Sequence, residues 1–354
     1  MNNAIAPPNR PMFPHTVDST ILATFRSCPQ KFFRQYVEHW KPKTTSVHLV
    51  AGGAFASGIE KARDAFYVQG LSAGDSEAIG LQALLTHYGD FECPAESAKS
   101  PERMCGALEF YFQQYPLGAD NANPITLAGG RRGIEFSFAE PLQVMHPVTG
   151  DPILYTGRSD MIAERAGGIY GYDEKTTSSL GATWGRQWEM RSQFTGYFWA
   201  AAQQGIKMNG FIVRGVSILK TKYDTLEVPT YRSDYEIIRW EAQVNRDLKR
   251  MIEMWKEGYW DYSLDAACVE YGSCPFTAVC KSSEPEAWLP VNFEKRVWDP
   301  LLRTEISVAE YEASWGHERG EEEQVAETAK GQAPSVVTGE LQNEFAAMMR
   351  EKIQ

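Results

Sequence analysis

The chain has 354 residues, 43% of them hydrophobic and 12% aromatic, enough to bury a substantial core in one large domain or two modest ones and too apolar for general disorder. Its formal net charge is −11, and residues 301–354 carry more than their share, with 5 Lys and Arg against 11 Asp and Glu; this excludes coating of nucleic acid by bulk charge and leaves any polyanion to a local basic patch. The opening MNNAIAPPNRPMF lacks a signal-peptide pattern and no stretch is apolar enough to span a bilayer, so a reducing cytoplasm is expected, where six cysteines are thiols or metal ligands rather than disulfides.

Residues 1–18 are proline-rich and polar and are expected to form an extended leader. DSTILATFRSCPQKFFRQYVEHW offers Ser19 or Thr20 as an N-cap before Ile21, Leu22, Phe25, Phe32, Phe33 and Tyr36, a helix kinked near Pro29. AGGAFASGIEKARDAFYVQG predicts a second helix, with Phe55, Ile59, Ala62 and Phe66 on one stripe. A third runs from about Asp75 to Tyr88, and a fourth opens at Ser100 and Pro101, a cap followed by proline at the first helical position. From Gly133 the texture changes: GIEFSFAEPLQVMHP, PILYTGRSDMIAE and GIYGYDEKTT alternate apolar and polar residues as a strand meander does. Helix resumes around WGRQWEMRSQFTGYFWAAAQQG, GFIVRGVSILKT is another strand, and Tyr235 to about Tyr259 is a long amphipathic helix. After about Ala313 the sequence is Glu-rich until LQNEFAAMMREKI, which predicts an acidic linker ending in a short amphipathic helix able to dock on its own domain or on a partner.

The stretch GYDEKTTSSLG concentrates charge on a strand. Alternation sends Asp173 and Lys175 to one face and Glu174 to the other. The preceding strand carries Asp160, and RAGG marks the hairpin turn between them; a turn centred between Ala166 and Gly167 sets Asp160 directly across from Asp173. Opposed carboxylates repel unless a cation lies between them. A hard divalent ion such as Mg²⁺ or Mn²⁺ suits the pair, and Lys175 is placed to orient a bound water or offset phosphate charge. The bland alternative is a solvated strand face with a cross-strand ion pair.

These residues resemble the PD-(D/E)XK nuclease superfamily, in particular its RecB-like branch and the CRISPR-associated iron-sulfur exonucleases with their phage relatives. GRSD ending at Asp160 is similar to the family's G-x-x-D, DEK at 173–175 to its (D/E)-x-K, and QFTGY, with Gln193 and Tyr197 on one helix face, to its Q-x-x-x-Y. The resemblance implies that Asp160, Asp173 and the backbone carbonyl of Glu174 bind metal, that Lys175 handles the attacking water, and that Gln193 and Tyr197 shape the DNA-side wall. STILATFRSCPQKFFRQYV looks like the family's opening segment and GGAFASGIE like its first motif. The metal-binding histidine usual there is Ala56 here, or Ser57 one residue along, and Glu60 one turn on is the candidate substitute. Glu135 is a further acidic candidate.

Cys268, Cys274 and Cys280 leave a metal site one ligand short. The iron-sulfur branch draws its fourth cysteine from near the N-terminus, where Cys28 stands, so the resemblance implies a [4Fe-4S] cluster joining the two ends of the domain; the long first spacing keeps Zn²⁺ as the alternative. Cys93 and Cys105 read as ordinary thiols.

The expected architecture is therefore an α/β PD-(D/E)XK (restriction-endonuclease-like) core over residues 19–300, a central mixed sheet flanked by helices with a cysteine-ligated Fe-S subdomain, followed by the acidic linker and helix of residues 301–354. The expected activity is Mg²⁺- or Mn²⁺-dependent DNA hydrolysis, exonucleolytic, in recombination, repair or phage DNA processing within a bacterial or phage-infected cytoplasm. Lys31, Arg34 and Arg158 are candidate contacts to DNA that is single-stranded or has free ends, and the tail is the candidate contact to a replication or recombination protein. The rivals are a nuclease fold without catalysis, serving as a DNA-end or partner scaffold, and a hydrolase using Asp160 and Asp173 as an acid/base pair.

Overall fold

The structure is a computed structural model that describes residues 11–264, 266–269 and 273–311. Residues 1–10 of the leader, and the acidic linker and closing helix with their partner role, lie outside the described residues. The chain divides into a unit Met1–Glu305 and a unit Ile306–Gln354; of the second, residues 306–311 are described.

The described part of the leader is extended and docked, with Phe13 fully buried and β1 (Thr16–Val17) paired in the sheet. Helix α1 (Ser19–Ser27) is capped by Asp18 rather than by Ser19 or Thr20, because the Asp18 carboxylate accepts the N–H groups of Thr20 at 2.8 Å and Ile21 at 2.7 Å. Cys28 is extended, and α2 (Pro29–Phe32) restarts with Pro29 at its first position, so the expected kink is a break. A π-helical turn, Phe33–Val37, leads to β2 (Trp40–Pro42).

Three helices follow, α3 (Val47–Tyr67), α4 (Ala73–Tyr88) and α5 (Pro101–Gln114), each capped by a serine: Ser46, Ser72 and Ser100. Then come β3 (Asn123–Pro124), the meander β4 (Ile134–Met145), β5 (Pro152–Arg165) and β6 (Gly168–Thr177), the short α6 (Ala182–Arg186) and α7 (Ser192–Gln203). Strand β7 (Gly210–Ile218) is buried throughout. Strand β8 (Tyr223–Thr230) escaped the sequence reading because its charges and Pro229 mask the pattern, which an edge strand tolerates. Helix α8 (Asp234–Glu257) is closed by a Ser233–Glu236 capping box and by Gly258 in the left-handed region. The remainder is built of short pieces: α9 (Ala266–Val269), α10 (Thr277–Lys281), α11 (Pro285–Asn292), β9 (Phe293–Lys295), which pairs with β2, and β10 (Val297–Asp299).

The sheet is mixed and seven-stranded, in the order β1-β5-β6-β7-β8 with β3 and β4 also on β5; β6 and β7 run parallel, as do β1 and β5. Helices α1, α7 and α8 contribute to one apolar core, which includes Tyr155, Ile162, Phe211 and Val213 of the sheet. Helices α3, α4 and α5 form a second around Val216 and Ile218. This layering is the α/β architecture expected, with helices covering the strands.

One feature of the topology positions the site. Strand β4 holds one edge of β5 from Ile134↔Met161 to Pro141↔Leu154. On the opposite edge β1 pairs at Leu154 and Tyr155, whereas β6 pairs only from Met161 to Arg165. Residues 156–160 therefore face a fork between β1 and β6. The β5–β6 register follows from the two-residue turn Ala166–Gly167, both at positive φ (51° and 77°), the conformation that matches hairpin twist. Alanine is a poor choice there, since the left-handed region costs a non-glycine residue ~1–2 kcal/mol. Ala166→Asn is expected to stabilise the fold by up to ~1 kcal/mol, read as a higher urea midpoint at unchanged m-value; a lower midpoint would contradict this turn.

Candidate active site

Asp160 sits at the mouth of the fork and Asp173 one step beyond the last paired rung, Met161↔Tyr172. The Asp160 carboxylate takes the Glu174 N–H at 2.8 Å, so a side chain continues the link between β5 and β6 where the ladder stops. Asp173 is buried, 1% exposed, and its Oδ2 forms an ion pair with the Lys175 ammonium, which remains about one-third exposed. Burial raises the Asp160 carboxyl well above its ordinary value, and the charges of Asp173, Glu174 and Glu135 push the same way. Burial likewise raises Asp173, against the pull of Lys175. For Lys175 burial opposes the charge, but Asp173 and Asp160 outweigh it and the net shift is upward.

Helix α7 supplies the next layer. Gln193 Nε2 donates to Tyr197 Oη at 3.0 Å and reaches Asp173 Oδ1 at 3.5 Å, while the Tyr197 hydroxyl donates to the Arg158 carbonyl at 2.8 Å. The two residues, one turn apart, thus tie α7 to both acid-bearing strands.

Two more acids border the site. Arg158 forms an ion pair with Glu135 and lies 3.6 Å from Glu60 on α3. Glu135 has φ of 51°, a strained backbone for a non-glycine residue. Burial raises its carboxyl to about 7 against the pull of Arg158, with Glu60 adding to the rise. Ala56 and Ser57 lie on α3 and are half-buried.

Among the described residues no group of three or more His, Cys, Asp or Glu is arranged to hold a metal ion. The donor chemistry of Asp160 and Asp173 nevertheless fits a hard divalent cation, because burial and neighbouring carboxylates disfavour the charged form of both, a cost that a bound cation would offset. An ion such as Mg²⁺ is commonly bound through one or two carboxylates with waters completing its shell.

The opposite face of β6 carries what sequence reasoning missed. Glu174 points away from Asp173 into a buried pair with Arg63 of α3, at 2.5 Å and 3.1 Å, and accepts the Tyr111 hydroxyl at 2.8 Å. Burial opposes this charge, but Arg63 holds the Glu174 carboxyl down at about 2. Arg214 of β7 continues the network, bidentate to Asp120 at 2.7 Å and 3.1 Å and bonded to Glu227 at 2.9 Å. Arg63 lies three residues after Glu60, the expected metal candidate, and no spacing distinguishes it from a surface arginine.

The basic patch is reassigned by the structure. Arg34 is only 7% exposed and bridges Glu38 at 2.6 Å and Glu286 at 2.9 Å, so it locks the π-helical turn to α11 and is not offered to DNA. Phe32 and Tyr36 are core residues and Phe33 stacks on Trp260, centroids 5.3 Å apart. Lys31 is half-buried beside the cysteines, where its charge lowers the Cys274 thiol against the upward push of burial. Arg158 is engaged by Glu135 and Glu60, as given above.

All six cysteines are free thiols. Cys28, Cys268, Cys274 and Cys280 share one neighbourhood: burial raises Cys274 and Cys280, Cys28 and Cys268 add to both rises, and Cys274 adds to that of Cys280. They are not drawn into a ligand shell. Cys93 donates weakly to the Lys99 carbonyl and Cys105 is half-buried on α5.

A family model for the PD-(D/E)XK nuclease superfamily matches residues 19–281. Among solved structures, the chain is similar to a candidate exonuclease from Eubacterium rectale, with 15% identity, a TM-score of 0.45 and coverage of 72% of this chain and 87% of that one. It is also similar to the protein SSO0001, with 14% identity, a TM-score of 0.27 and coverage of 66% and 85%. Comparison with curated proteins gives no match.

Breaking a buried ion pair by removing one partner costs ~3–5 kcal/mol. Arg63→Met is expected to lose stability on that scale in urea denaturation, and Arg63→Met/Glu174→Gln to recover a good part of it. The folded Glu174 value of about 2 lies below its ordinary 4.5, so the pair's contribution is present above pH 4.5 and is lost as pH falls through about 2. A single variant as stable as the wild type at pH 7 would contradict the assignment.

Proposed function

Because the chain belongs to the PD-(D/E)XK nuclease superfamily, we propose that it hydrolyses phosphodiester bonds in DNA with Mg²⁺ or Mn²⁺, working from strand ends in recombination, repair or phage DNA processing. The observation that carries this reading is the meeting of Asp160, Asp173 and Lys175 at the fork in the sheet. Asp160, Asp173 and the Glu174 carbonyl are the proposed metal ligands, with Glu60 and Glu135 as the neighbouring acids. A divalent ion held there supplies charge neutralisation at the scissile phosphate and a more acidic water.

The chain's own groups divide the remaining work. Lys175 is partly exposed and carries its proton at neutral pH, so its ammonium is available to a phosphate oxygen or to the attacking water. Gln193 steadies the Asp173 carboxylate, and Tyr197 fixes the β5 backbone just ahead of Asp160. Glu174, anchored on the far face by Arg63 and Tyr111, presents its N–H to Asp160.

The absence of an imidazole at Ala56 and Ser57 favours one competing reading, a nuclease fold that binds DNA ends without cutting them. Labelled linear DNA incubated with Mg²⁺ or Mn²⁺ separates the two. Degradation is expected from the wild type, with a loss of about 10²–10⁴-fold in Lys175→Ala while binding in EDTA is retained. Binding without turnover by the wild type would favour the scaffold, and full activity in excess EDTA would sink the metal-dependent reading.

Cys28, Cys268, Cys274 and Cys280 are proposed as a thiolate site for a [4Fe-4S] cluster, or for Zn²⁺. Support for it is their common neighbourhood; the thiols as placed do not form a ligand shell, and no step of the reaction runs through them. Purification without oxygen is expected to give a brown protein containing iron. A colourless, iron-free product with one zinc would replace the cluster by a zinc site.

A further inference from the structure

Beside the acids, between the margin of β4 and the turn that follows β10, lies a cavity of about 280 Å³ lined by Phe138, Ala139, Gly157, Pro300, Leu301 and Arg303. We propose that it is a subsite for one unpaired nucleotide of the DNA strand next to the scissile phosphate, with Arg303 holding that nucleotide's phosphate. The inference rests on the nuclease reading above and names how the strand is held there.

The cavity adjoins the catalytic acids through bonded neighbours. Ser137, also in its wall, donates its hydroxyl to the Glu135 carbonyl at 3.2 Å. Gly157 immediately precedes Arg158, whose carbonyl accepts the Tyr197 hydroxyl. A Cβ at Gly157 would meet the rings of Phe138 at 2.5 Å and Tyr197 at 3.0 Å, so glycine lets those two core rings pack directly against the β5 backbone that borders the cavity.

The walls suit a nucleotide. Leu301, 50% exposed, offers a base an apolar surface that favours no particular base, while the Phe138 ring, 5% exposed, belongs to the core. The volume lies at the bottom of the range for small-molecule sites, which suits a single base with its sugar and leaves no room for a duplex.

Arg303 supplies the cation. The Asp299 carboxylate accepts the N–H groups of Leu301 at 2.8 Å and Leu302 at 3.0 Å, and the Asp299 carbonyl accepts the Arg303 N–H at 2.7 Å. The turn thereby holds Arg303 at φ 55°, a strained backbone conformation. Among the described residues its guanidinium has no hydrogen-bond or ion-pair partner, although its charge acts on both Asp173 and Glu135. The acid in the wall, Glu140, accepts the Gln204 amide at 2.9 Å and, among the described residues, forms no ion pair with Arg303.

Two variants of the full chain test this: Arg303→Gln removes the charge, and Ala139→Trp fills the cavity from an exposed position on β4. The probes are fluorescein-labelled oligothymidylate, for binding by anisotropy in EDTA, and bis-p-nitrophenyl phosphate, a diester too small to span site and cavity. Both variants are expected to weaken oligothymidylate binding by about fivefold or more. Arg303→Gln should also flatten the slope of log Kd against log salt by about 0.7, the share of one phosphate contact on a single strand. With Mn²⁺ present, KM for DNA should rise while kcat moves by less than about threefold, and turnover of the small diester by Ala139→Trp should be unchanged. Unchanged affinity and salt slope would overturn the proposal, as would an equal loss of small-diester turnover, which marks damage to the acids themselves. Should the wild type cleave neither substrate, the nuclease reading fails, and the EDTA binding arm alone decides the subsite by the same criteria.

Discussion

The arrangement depends on a single backbone decision, the tight turn at Ala166 and Gly167. Two successive left-handed residues fold β6 back on β5 in one register, from Arg165↔Gly168 to Met161↔Tyr172. Because side chains alternate with period two, a slip of one residue would send Asp173 and Lys175 to the α3 face and Glu174 to the α7 face. The ladder stops at Met161 because β1 holds the same edge of β5 further back. In the gap Asp160 accepts the Glu174 N–H, and the two aspartates come under each other's field without strand-to-strand bonding to spread them apart.

The two faces of β6 solve different electrostatic problems. On one, the charged forms of Asp160 and Asp173 are disfavoured by burial and by neighbouring acids, a cost that a bound cation would offset. On the other, Glu174 is fully compensated by Arg63 and Tyr111, and Arg214 extends the compensation to Asp120 and Glu227. A satisfied charge network behind the strand gives the unsatisfied one in front a fixed backbone. Helix α7 closes the front through Gln193 and Tyr197, so each face of the strand is held by side chains from a different helical layer.

The legible part of this design was local. Alternation placed Asp173 and Lys175 together and Glu174 apart, a two-residue turn fixed their distance from Asp160, and helical spacing put Gln193 and Tyr197 on one face. Ser100 and Pro101 marked a helix start correctly for the same reason, since the cap bonds a group three residues away. Where a long-range partner decided the outcome, the reading went astray. Arg34 looked like an exposed cation, but it is buried and its charge is paired in part by Glu286, far along the chain. The cap of α1 was a local choice also missed: Asp18, not Ser19 or Thr20, accepts the Thr20 and Ile21 N–H groups. Strand β8 was hidden by its own charges until β7 gave it a partner.

The sequence by itself determined the mixed α/β character, the acid-bearing hairpin and its register, and the family to which the chain belongs, because each follows from contacts within a turn, a rung or one helical repeat. Tertiary structure alone decided which charges are neutralised and which are left open: Arg63 for Glu174, Glu135 and Glu60 for Arg158, and no protein partner among the described residues for the Arg303 guanidinium. The energy of a charge is set by the dielectric around it and by the ions it meets, and both are assembled from segments well separated along the chain that carry no shared periodicity.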